Sequence, residues 1–82
     1  MTRAEKRLAA MRRNPRGDWQ LDDLKAVAAR HDVVMRHDGG SHAVFRGTNG
    51  AMLTVPARRP IKPVYIKLFV AFIEACHGEE IE

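Results

Sequence analysis

The stretch "SHAVFRGTNGAMLTVP", residues 41–56, constrains this chain more than any other. Two strand-like runs flank Thr-Asn-Gly, so the segment reads as a β-hairpin. Alternation fixes its register, because a one-residue slip would send every side chain to the wrong face. Pairing Phe45 with Leu53 and Ala43 with Val55 gathers four apolar side chains on one face. That pairing requires a three-residue turn, Thr48-Asn49-Gly50, with Gly50 in the left-handed position. A two-residue Asn-Gly turn would set Phe45 against Thr54 instead. In the preceding strand, "VVMRHD" (residues 33–38), Val33 and Met35 then face inward, while Val34 and Arg36 face outward.

The flanking segments read as helices. Residues 3–13, "RAEKRLAAMRR", have high helix propensity and a thin apolar stripe of Ala4, Leu8 and Met11. "NPRGD" ends that segment. Leu21, Leu24, Val27 and Ala28 recur at helical spacing and predict a second helix over residues 20–31, with Trp19 packed on its first turn. Pro63 opens a last helix, for which Gly78 is the expected stop. Tyr65, Phe69, Phe72, Ile73 and Cys76 line one of its faces. Ile66 and Val70 fall elsewhere, so the helix is apolar over much of its girth, which implies central packing or a partner-binding face. The order α-α-β-β-β-α predicts an α+β fold, a three-stranded antiparallel sheet with helices on one face.

At 82 residues this is one domain with a limited core. Any substrate larger than the domain must lie across its surface. The net charge is +4, ten of the fourteen basic residues are Arg, and three acids sit in the final "EEIE". An Arg-rich surface suits bidentate phosphate contacts and favours nucleic acid as a partner. Cys76 is the only cysteine, so no disulfide forms and no cysteine-based metal site exists. The first residues lack an apolar export core, and no apolar run is long enough for a bilayer. The expectation is a soluble protein of a reducing cytoplasm.

The outward sheet face is expected to carry Arg36, His42, Val44, Arg46, Met52 and Thr54, with Arg36 and Arg46 close to His42. An imidazole can take or give a proton near physiological pH. RNA cleavage needs both steps: a base for the attacking 2′-hydroxyl and an acid for the leaving 5′-oxygen. Arginines beside a histidine can steady the phosphorane charge. Gly39 and Gly40, just before Ser41 and His42, let backbone approach a phosphate. The register turns His37 to the other side or into the loop. Arg58, Arg59 and Lys62 form a basic segment before the last helix, whose N-terminus itself favours anions. "MRRNPR" is a third and less specific basic cluster. The repeated "RHD" at 30–32 and 36–38 lacks further ligands at metal spacing. No P-loop, nucleophile elbow or dinucleotide fingerprint is present.

Together "GGSHAVF", "LTVP" and "IKPVYIKLFVAFI" resemble the HicA family of toxins, small mRNA interferases of type II toxin–antitoxin modules. The shared features are Gly40-Ser41-His42 at the start of the second strand, Phe45 three positions after the histidine, Val55-Pro56 ending the third strand, and the closing helix. The resemblance covers about residues 19–76. It makes residues 1–18 an added helix and loop, residues 19–77 the core and residues 78–82 an acidic tail. It implies a fold like the double-stranded RNA-binding domain, with His42 catalytic, Gly40 needed for activity and no cofactor or metal. Ser41, Arg36, Arg46, Arg58, Arg59 and Lys62 are the expected RNA contacts. It also implies a HicB-like antitoxin covering the site, so that the chain is a monomer alone or a hetero-oligomer with its inhibitor, with Ile66 and Val70 widening that contact. The family often places a histidine two residues after the Val-Pro proline. This chain has Arg58 there, so the second proton-transfer group is unassigned among substrate, water and His37. A non-cutting RNA-binding module and a protein-interaction subunit are the alternatives.

Overall fold

The computed structural model describes residues 2–37 and 39–78, the last two for their backbone alone. The elements run α1 (Arg3–Arg13), α2 (Leu21–Arg30), β1 (Val34–Arg36), β2 (His42–Arg46), β3 (Met52–Pro56) and α3 (Pro63–Gly78). Among the described residues the fold is α+β, with three helices and one antiparallel sheet in the order β1-β2-β3. β1 is shorter than expected, and Asp38, placed in it by the sequence reading, lies outside the described residues, as do the acidic residues 79–82.

Local chemistry sets the ends of the helices. Thr2 caps α1, its Oγ1 accepting from the Glu5 N–H at 3.2 Å. Glu5 returns the bond from the Thr2 N–H at 2.8 Å, which holds the Glu5 carboxyl below the usual carboxylate range. α2 ends in a Schellman motif: Val33 N–H donates to the Ala28 carbonyl and Asp32 N–H to that of Ala29. Asp32 takes the left-handed position there, at φ 60°. Pro63 begins α3, and the carbonyl of Lys62 accepts from Tyr65 and Ile66.

The strand register is the one that alternation requires. Phe45 pairs with Leu53, Ala43 with Val55 and Met35 with Phe45. Gly47 N–H donates to the Ala51 carbonyl, which leaves Thr48-Asn49-Gly50 as the loop, with Gly50 at φ +86°. A Cβ on Gly47 would lie 2.5 Å from Cys76 Sγ, so this turn packs closely on α3.

Ala43, Phe45 and Val55 are fully buried under the helices, and Phe45 meets Phe69 of α3 edge to face at 5.2 Å. α2 packs beside β1, and α1 packs against both α2 and α3. Arg7 pairs with Asp23 at 3.3 Å across the first contact, and Arg12 pairs with Glu74 across the second. Trp19 packs against the core and also reaches back: its indole N–H donates to the Asn14 carbonyl, and its own carbonyl accepts from Ile61.

The extra girth of α3 is explained by this stacking. Phe69 meets the sheet, while Val70 lies beside Met11 and Arg12 of α1. Ile66 and Val70 are therefore core residues, 0% and 6% exposed, and neither is open to a partner. Central packing is the reading that holds. The large apolar side chains that α3 exposes, among the described residues, are Val64 and Leu68. Among the described residues no helix is long and apolar enough to cross a membrane.

Candidate functional site

The helices leave one sheet face open. Alternation and pairing place Val34 and Arg36 of β1 on it, with His42, Val44 and Arg46 of β2 and Met52, Thr54 and Pro56 of β3. His42 stands at one end, exposed, opposite Pro56. Its Nδ1 lies 3.0 Å from the Ser41 hydroxyl. With Nδ1 held there, Nε2 is the nitrogen that can meet a substrate.

The loop before His42 is tied by its own chain. His37 Nε2 lies 2.8 Å from the Gly40 carbonyl, to which a protonated Nε2 donates. His37 is thus in the loop, one of the two places that the register allows it. Gly39 uses its freedom directly, at φ +81°. Gly40 has no positive φ, and a Cβ built on it meets nothing within 4 Å. Packing among the described residues does not require glycine at position 40. What the missing side chain provides is room on the outside.

Beyond β3 the pairing continues one step, with Ala57 N–H donating to the Ser41 carbonyl at 2.8 Å. The chain leaving Pro56 therefore stays beside the His42 end before it reaches the basic segment. Pro56, Arg58, Pro60, Lys62 and Tyr65 line a cavity of about 230 Å³. Arg58 and Lys62 are exposed there, just before the N-terminus of α3. The partial positive charge of that terminus adds to theirs. Arg59 departs from this group: it points to Asp18, 3.6 Å away.

Arg36 pairs with Val44, one side-chain step along the face from His42. Arg46 does not sit close to His42, contrary to the expectation from alternation. It is four residues further along β2, about 13 Å at strand rise. There it faces Val34 and Met52, with its Nη2 4.0 Å from Met52 Sδ. Alternation assigns a residue to a face but says nothing of separation along it. Val34, Arg36, Val44, Arg46 and Met52 line a second cavity, of about 540 Å³.

Pro56 ends β3, as expected, and there flanks His42 across the ladder. Tyr65, expected on the apolar face of α3, is half-buried along the Arg58–Lys62 cavity. The available signal for Tyr65 was its amphipathic ring, which seldom lies wholly in a core. Among the described residues no three His, Cys, Asp or Glu side chains gather to hold a metal ion.

No family model matches this chain, and no curated protein or solved structure does.

Proposed function

We propose that this chain is a HicA-like endoribonuclease toxin that cuts mRNA in the cytoplasm with His42 as its proton-transfer group, on a fold of the double-stranded RNA-binding kind. The observation that carries the reading is His42 itself. It is exposed at the end of the helix-free face, its Nδ1 engaged by Ser41, between a glycine loop and a basic cavity.

The chemistry follows from the atoms. With Nδ1–H donating to Ser41 Oγ, Nε2 carries a lone pair and can take the proton of a ribose 2′-hydroxyl. The 2′-oxygen then bonds to the adjacent phosphorus, and the bond from phosphorus to the 5′-oxygen breaks. The leaving oxygen takes a proton from the imidazolium or from water, giving a 2′,3′-cyclic phosphate and a 5′-hydroxyl end. Arg58 and Lys62 supply positive charge for the phosphorane, Arg36 stands on the opposite side, and the open backbone at Gly40 admits the phosphate. Arg59, paired with Asp18, contributes less.

A nuclease of this kind needs restraint in its own cell. A HicB-like inhibitor with an acidic surface suits the cationic open face and would associate fast and in a salt-sensitive way. The test is incubation of the pure protein with single-stranded RNA in EDTA. Cleavage to cyclic-phosphate ends is expected. Binding without cleavage would leave a passive RNA-binding module of the same fold.

A further inference from the structure

The face has a second cavity, of whose lining the cleavage chemistry uses Arg36 alone. It lies toward the end away from His42, lined by Val34, Val44 and Met52 and by Arg36 and Arg46, with Arg46 on the central strand between Val34 and Met52. Val34 and Met52 are 64% and 57% exposed and lie on either side of Arg46 on the open face. Among the described residues no ion pair joins Arg36 or Arg46 to a carboxylate; the acidic partners of Arg7, Arg12 and Arg59 lie elsewhere.

We infer that this groove is a nucleotide subsite, holding one unstacked RNA base about two nucleotides from the scissile phosphate. The inference rests on the reading of the open face as an RNA surface. Its volume, about 540 Å³, lies within the range of small-ligand sites, roughly 300–1,000 Å³. Among the described residues its charged groups are two guanidiniums, which take phosphate in bidentate geometry and stack on bases through their planes. The apolar lining gives a base edge or ring a dry surface without selecting among bases by hydrogen bonds. The groove is also collinear with the proposed chemistry. His42, Val44 and Arg46 share one side of one strand, and His42 to Arg46 is about 13 Å. An extended RNA strand lying along β2 reaches both. Arg46, too distant to steady the phosphorane, thereby gains a positioning role for the strand.

The test uses the full chain carrying His42→Ala, which leaves RNA uncut, and a fluorescent single-stranded RNA hexanucleotide. Binding is followed by anisotropy across a salt series. Met52→Glu should weaken binding at least about tenfold, because its carboxylate repels phosphate and occupies the neighbouring Arg46. Met52→Ala should weaken it about threefold with the salt slope unchanged, the signature of a lost base contact. Arg46→Ala should lower the slope by about one, the signature of a lost phosphate contact. Undiminished RNA affinity in Met52→Glu would overturn the subsite and leave the groove to an acidic protein partner. Cleavage by the wild-type chain is a separate readout. If the wild type cuts and Met52→Glu still binds, only the subsite falls. If the wild type does not cut and Met52→Glu loses binding, the subsite stands on a non-cutting RNA surface.

Discussion

Phe45 and Val44 are chain neighbours, yet they belong to different economies of the molecule. Phe45 is fully buried against Phe69, whereas Val44 lines an open groove together with two arginines. The same three strands thus carry a face that makes the fold and a face that meets the outside. The inner face holds Ala43, Phe45 and Val55, small to large apolar groups that share the buried core with α3. The outer face holds His42, the arginines and two exposed apolar residues, and no helix covers it. The lesson is that stability and function are separated by the strand period of two. Substitutions should therefore sort by parity, and each prediction below either sharpens that separation or breaks it.

The largest stability effect belongs to the inner face. Phe45→Ala removes the ring that meets Phe69 and should cost about 3–5 kcal/mol, enough to unfold a domain this small. Urea denaturation measures it. A loss below about 1 kcal/mol would mean that the core does not depend on this contact.

Gly40→Ala comes next and should act only on the outer side. Its Cβ meets nothing, so thermal melting should stay within a degree or two of wild type. RNA cleavage should fall by about tenfold or more, because the methyl group occupies the phosphate approach. A lower melting temperature with proportionate loss of activity would assign the glycine to the fold.

Arg58→Ala and Lys62→Ala should each weaken RNA binding across sequences and reduce the salt slope by about one. Arg59→Ala should change it less, since that guanidinium is paired with Asp18. Equal effects of all three would mean that the pair opens on binding. The smallest effect lies on neither face. Asp32→Gly relieves a non-glycine left-handed residue at the end of α2 and should stabilise by about 0.5 kcal/mol, read from the denaturation midpoint.

The sequence made much of this legible because local patterns carry it. The Phe45–Leu53 pairing, the three-residue loop and left-handed Gly50 all follow from period-two alternation around Thr-Asn-Gly. Pro63 marked the start of α3 for a backbone reason. What stayed hidden depends on long-range placement. Ile66 and Val70 read as surplus apolar surface because nothing in α3 itself shows that α1 lies against it. The pairing of Arg59 with Asp18 was hidden because the two residues are distant in the chain. Arg46 read as a neighbour of His42 because alternation gives sides, not distances. His42, Ser41 and Gly40 were legible together because they are consecutive. The cavity lined by Arg58, Lys62 and Tyr65 was not, because it is assembled from a strand end, a loop and a helix start.

The most direct measurement is the cleavage rate of His42→Ala on single-stranded RNA in EDTA, taken beside its melting curve. The account predicts a rate lower by about 10²–10⁴-fold with an unchanged melting temperature, because the side chain is exposed on the open face and its loss removes a proton-transfer group. A variant that folds and cleaves as fast as wild type would contradict it.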